Sequence, residues 1–121
     1  MAVKEITPEV LERNKFDADV LSMIAATTAA DGFLIDASKV ADHRLLLVFE
    51  NTDVAVAYDI TIKKGNGLQG VADLTKEIAA TKTAAIVVES GAFKNVTGTN
   101  KGKIVAIPEN AAVKMAAIVL P

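Results

Sequence analysis

Short apolar runs and short bouts of alternation, separated by polar turn clusters, make up most of this chain. Residues 43–50 (HRLLLVFE) are apolar on both faces, which predicts a central strand covered from both sides. Asn51-Thr52-Asp53 has turn chemistry, and residues 54–62 then alternate with Val54, Val56, Tyr58, Ile60 and Ile62 on one face. Two strands across a tight turn predict a hairpin. Further on, Leu74, Lys76 and Ile78 alternate with Asp73, Thr75 and Glu77, a turn covers 79–83, and 84–89 predicts another strand. Ser90-Gly91 turns into 93–96, a loop covers 97–102, and strands follow at 103–107 and 112–120, with Pro108-Glu109-Asn110 between them.

The front of the chain is less regular. Thr7 is placed to cap, Pro8 suits a first helical position and Glu9 and Glu12 lie at the favourable end, so residues 7–14 predict one or two helical turns closed by Asn14. Residues 20–27 fit helix or strand, with the β-branched residues favouring strand. Ala29-Ala30-Asp31-Gly32 is turn material before a strand at Phe33-Leu34-Ile35 and a polar stretch from 36 to 42. Eight or nine short strands at regular spacing indicate an all-β fold, an antiparallel β-sandwich of jelly-roll type. Residues 1–16 form a short arm or helical turn, and residues 17–121 form the sandwich domain.

Composition sharpens this picture in three ways. At 121 residues the chain is one domain, and 51% hydrophobic against 23% charged residues is globular composition. Aromatics are only 4%, so the core is built from Val, Ile, Leu and Ala; that suits either a thin sandwich or a subunit completing its core against neighbours. The net charge of −2, without a basic cluster, argues against nucleic acid as a partner. The absence of cysteine removes thiol chemistry and thiolate metal sites and fits a reducing cytosol. No apolar stretch is long enough to span a bilayer, and the start, with an early acid and no long apolar run, does not read as a signal peptide. The expectation is a soluble protein without membrane attachment.

Gly65-Asn66-Gly67-Leu68-Gln69-Gly70 spells G-x-G-x-x-G, with an acid, Glu89, about 20 residues beyond it, as in dinucleotide-binding units. Such a unit needs a buried parallel strand entering the first glycine. Here Lys63 and Lys64 stand there instead, and the preceding strand alternates as half-buried antiparallel strands do. The motif therefore predicts a turn whose glycines supply positive φ, and no cofactor.

His43, the single histidine, lies in no nucleophile setting with Ser22, Ser38, Ser90, Asp36 or Asp42. The loop acids Asp31, Asp36, Asp42, Asp53 and Asp59 are too sparse for a calcium loop. Lys94, Lys101 and Lys103 around a glycine loop could meet an acidic surface, but read first as solvated. No catalytic, cofactor or metal residues are expected.

Residues 36–70 (DASKVADHRLLLVFENTDVAVAYDITIKKGNGLQG) and 87–107 (VVESGAFKNVTGTNKGKIVAI) resemble head decoration, or capsid-stabilising, proteins of tailed bacteriophages. The layout is carried by Glu50-Asn51-Thr52, by residues 60–67, by the Glu89-Ser90-Gly91-Ala92-Phe93-Lys94-Asn95 segment, by Lys101-Gly102-Lys103 and by the final apolar strand. Lys76-Glu77 departs from it, standing where a more β-favouring pair is expected.

The resemblance implies a non-catalytic virion protein made in the host cytoplasm. It would bind the outer face of the capsid, with the major capsid protein as partner, and self-associate, a trimer being favoured. The arm would then order on a neighbour through Val3, Ile6, Val10, Leu11 and Arg13, or pack on its own domain. A head–tail or tail structural protein is the nearest alternative. A carbohydrate-binding or adhesive sandwich is another, though no Trp and a single inward-patterned Tyr58 supply little to stack on sugars.

Overall fold

A computed structural model of the chain describes residues 3–16, 23–41, 44–88 and 90–121. In chain order the elements are β1 (Lys4–Ile6), β2 (Glu9–Val10), β3 (Ile24–Ala25), β4 (Phe33–Asp36), β5 (Leu45–Asn51) and β6 (Tyr58–Ile62). They continue with β7 (Leu74–Ile78), β8 (Thr83–Ile86), a single helical turn α1 (Ser90–Phe93), β9 (Lys103–Pro108) and β10 (Val113–Val119). The fold is an all-β sandwich. One sheet runs β1-β4-β9-β6-β7, the other β2-β10-β5-β8, with β3 also on β10.

The central pairs β4–β9, β9–β6, β6–β7, β10–β5 and β5–β8 are all antiparallel. The two parallel pairs both come from the front of the chain, where β1 lies along β4 and β2 along β10. That front segment is not helical. Pro8 carries the chain from the edge of one sheet to the edge of the other, and Asn14 closes a turn at φ 59 without a helix behind it. Two tertiary ladders outcompete the local cap signal, as packing routinely does for short segments.

The core fills the space between the sheets. Phe33, Ile35, Leu47, Phe49, Ile104 and Met115 have essentially no exposed surface, and each contributes about 1.5–3 kcal/mol of apolar transfer. Small residues do part of the filling. Ala106 and Ala117 sit among them in the same cluster, so the layers approach closely with few aromatics. β5 is apolar on both faces, with Val48 buried on the face opposite Leu47 and Phe49, as its sequence predicts.

The predicted hairpin between residues 43–50 and 54–62 does not form. β5 and β6 belong to different sheets, and residues 52–57 carry the chain across the end of the sandwich. β6 begins only at Tyr58, so Val54 and Val56 lie outside it. β6 instead makes its hairpin with β7, across the glycine loop, and pairs with β9 on its other edge.

In that loop the glycines serve close approach and not positive φ, which among the glycines belongs to Gly32, Gly98 and Gly102. A methyl group at Gly65 would stand 2.5 Å from the Lys94 carbonyl oxygen, and one at Gly70 would overlap the carbonyl oxygen of Gly65. Lys63 and Lys64 have a local purpose too: Lys63 Nζ donates to Asp73 Oδ2 at 2.7 Å and the Lys64 amide to Asp73 Oδ1 at 2.8 Å, clasping the base of the loop. Gly70→Ala is therefore expected to displace the loop and lower stability by about 1–3 kcal/mol, the usual scale of overpacking. The check is a urea titration beside amide spectra of residues 63–73; an unchanged loop contradicts this packing.

Candidate functional site: an apolar loop end on the sandwich

Strand directions gather four connections at one end of the molecule: residues 26–32, 52–57, 79–82 and 109–112. Three of them are bonded to one another. The Thr52 amide and Oγ1 both donate to the Ala112 carbonyl, at 2.9 and 2.6 Å, the Asn51 amide donates to Lys82 O at 3.0 Å, and the Thr81 amide donates to Asp53 O at 3.0 Å. Thr81 holds φ at 66, a conformation that β-branched residues avoid, and it does so at the centre of this junction.

The foundation is Asn51, the one fully buried polar residue among those described. Its Nδ2 donates to Val56 O at 2.9 Å and to Ile78 O at 3.0 Å, and its Oδ1 accepts from the Asp53 amide at 3.0 Å. One side chain thus ties β5, the 52–57 connection and β7 together. Asp53 continues the network upward, its Oδ1 accepting from the amides of Ala55 at 2.8 Å and Val56 at 3.0 Å.

What this scaffold displays is apolar. Val54, Ala55, Val56 and Ala57 are four consecutive exposed residues, with Val54 85% exposed. Ala79 and Ala111 are exposed on the adjoining connections. Exposed apolar runs of this length are uncommon without a function, and patches of this kind mark interaction surfaces.

Asp53 gives the surface a pH signature. Hydrogen bonds from the Ala55 and Val56 amides hold its carboxyl below the ordinary value of 3.8. Ser38 does the same for Asp36 through its hydroxyl and amide, and Lys63 and the Lys64 amide do so for Asp73. A carboxyl depressed in the folded state contributes stability that is fully present above its unfolded value and is lost as pH falls through the folded one. Thermal midpoints are therefore expected to gain nothing from these three groups between pH 7 and 5 and to lose their contribution only below 3.8. A variant lacking all three carboxyls whose midpoint falls below pH 3.8 by the same amount as the parent's assigns the acid response elsewhere.

The arm residues expected from sequence to meet a partner separate into two groups. Ile6 is 2% exposed and belongs to the core of its own sandwich, and Leu11 is half-buried, its amide donating to Val119 O. Val3, Val10 and Arg13 are exposed, Val10 at 64%. The arm packs on its own domain along β1 and β2.

The other candidates are placed as follows. Asp42, His43, Ser22 and Glu89 lie outside the described residues. Asp36 accepts from the Ser38 amide and hydroxyl, a turn contact. Lys94 donates to Val40 O at 3.3 Å and Lys103 stands 3.8 Å from Glu5, so both serve local structure. The G-x-G-x-x-G loop sits between antiparallel β6 and β7, tied by its Gly65 amide to Ala92 O and by Asn66 to Val96 and Thr97. No helix follows its last glycine; residues 71–73 lead directly into β7.

Among the described residues no group of three acids or histidines is placed to share a metal ion, and no helix is long and apolar enough to cross a membrane. Sequence reasoning missed the loop end because the alternation of 54–62 read Val54 and Val56 into a strand. Four apolar residues directly after Asn51-Thr52-Asp53 were the available signal. No family model, no curated protein and no solved structure matches the chain.

Proposed function

We propose that this chain is a structural virion protein of a tailed bacteriophage that binds the outside of the assembled head and stabilises it, docking through the loop end built on Asn51. The observation that carries the reading is the exposed Val54-Ala55-Val56-Ala57 run, held by hydrogen bonds with Asn51 and Asp53 at the end of the sandwich. It supports docking by shape and apolar contact, with no requirement for chemistry. The resemblance of residues 36–70 and 87–107 to head decoration proteins supplies the identity of the partner, the major capsid protein, and the expectation of a homo-oligomer, a trimer being favoured.

The energetic logic is mass action. A subunit that binds only the assembled, expanded shell lowers that state's free energy by an amount set by its concentration relative to Kd. Rigidity helps, because a preordered loop end loses little conformational freedom on docking. The arm has a different part in this reading: it holds its own domain together and leaves Val3, Val10 and Arg13 on the surface.

The test is co-sedimentation of the purified chain with head shells of the phage that carries its gene. Saturable binding to expanded shells, with a raised shell melting temperature, is the expected result. Failure to pellet with either expanded or unexpanded shells overturns the assignment to the head.

A further inference from the structure

The two flanks of the sandwich are closed differently. On one flank the arm crosses from β1 to β2 through Thr7-Pro8 and covers the seam between the sheets. On the other flank β7 and β8 end their sheets, and among the described residues nothing pairs with the outer edge of either. Between them runs a groove of about 240 Å³, floored by Phe49, Ile60 and Ile62 and walled by Leu74, Ala84 and Ile86.

The β8 edge lacks the features that keep strands from adding to an exposed sheet. Edge strands are usually guarded by charge, proline or a bulge; Thr83-Ala84-Ala85-Ile86 has neither charge nor proline, and it pairs with β5 in unbroken register. β7 differs at one residue. Lys76 stands opposite the buried Ile60, between Leu74 and Ile78 on the inward face, and it lines the groove. Among the described residues its ammonium has neither a hydrogen bond nor an ion pair. The acids of this edge, Asp59 and Glu77, are register partners on the opposite face of the sheet.

We propose that this open flank is a docking slot for one extended segment of a different protein chain, an apolar strand that adds to β8 and carries a carboxylate opposite Lys76. The inward lysine selects the occupant. It disfavours purely apolar strands, which would bury its charge uncompensated, and it admits a strand that brings the countercharge. Charge complementarity also argues against a second copy of this chain. Edge-to-edge pairing would bring Thr83-Ala84-Ala85-Ile86 or a second Lys76 to the slot, and β7 and β8 offer no acid on their inward faces. The four residues of β8 span about 13 Å at the rise of a strand, so a segment slightly longer than β8 presents about three inward side chains, the middle one acidic.

The test uses the full chain and a blocked peptide, acetyl-Val-Thr-Glu-Thr-Val-Thr-amide, beside the same peptide with Lys for Glu. Saturable protection of the Thr83–Ile86 amides from hydrogen exchange by the Glu peptide, with at least roughly tenfold weaker binding of the Lys peptide, is the expected result. Lys76→Glu should reverse the preference while leaving the thermal midpoint close to that of the parent. Equal binding of both peptides, no protection at millimolar concentration, or protection of β8 that rises with protein concentration alone each overturns the proposal, the last by making a second copy the occupant. No capsid shells enter this experiment, so its outcome is independent of the docking assigned to the loop end.

Discussion

Asn51→Asp is expected to lower stability by about 4 kcal/mol or more. Asn51 is fully buried, and its Nδ2 donates to two carbonyl oxygens, those of Val56 and Ile78. The aspartate would turn a carboxylate oxygen toward both of them at a position with no exposed surface. Asn51→Ala removes the same donors without adding charge. It should cost less, about 2–3 kcal/mol, since each buried group left unpaired costs on the order of 1–3 kcal/mol and part of that is relieved by relaxation.

Linkage gives the aspartate variant a distinctive profile. Burial against carbonyl oxygens raises its pKa in the folded state, so its neutral form folds better. Its deficit should shrink as pH falls from 7 to 5, where the parent gains nothing from Asp53. Urea titrations at the two pH values provide the check. A loss under 1 kcal/mol at pH 7, or a deficit independent of pH, contradicts the role given to Asn51.

Removing the arm is the second large effect. Deletion of residues 1–12 takes away β1 and β2, uncovering the seam on their flank and exposing the neighbours of Ile6 in the core. Truncating Ile6 alone to Ala is expected to cost about 2–4 kcal/mol. Deletion adds the loss of the backbone ladders along β4 and β10, and a domain with a total stability of roughly 5–15 kcal/mol has little margin for both. The expected outcome is a chain that aggregates or binds a hydrophobic dye at 25 °C. A truncated chain with a cooperative melt near the parent's value shows instead that residues 1–12 are dispensable to the domain.

How far these features were legible in the sequence depends on element length and on what the periodicity could see. Residues 45–51, 74–78, 103–108 and 113–119 are long enough for their pattern to show, and each is a strand where the pattern places it. β1 and β2 have three and two residues, too few to carry a period, so Thr7, Pro8 and Glu9 dominated the reading with helix-start chemistry. The hairpin expectation failed for a related reason. Asn51-Thr52-Asp53 does hold a turn-like bond, Asp53 N to Asn51 Oδ1, but the turn serves a change of sheet.

Nothing local distinguishes a turn asparagine from a buried one that binds the carbonyls of Val56 and the distant Ile78, so the scaffold of the loop end was invisible. The glycine loop was read correctly as a connection and incorrectly in its cause: Gly65 and Gly70 are there because backbone passes too close for a side chain. Alternation already set Lys76 on one face with Leu74 and Ile78; what the sequence lacked was the register that puts it opposite the buried Ile60.

In the proposed function, the loop end carrying Val54 and Val56 docks on an assembled shell. The most direct measurement is shell pelleting by the double variant Val54→Lys, Val56→Glu, side by side with the parent. Both side chains are exposed, Val54 at 85% and Val56 at 47%, so the thermal midpoint should move little, as for surface substitutions generally. The expected result is a folded protein whose affinity for expanded shells falls at least roughly tenfold, as when charge replaces the apolar centre of a contact. Pelleting of the folded variant with unchanged affinity would contradict it and move the contact away from this end of the sandwich.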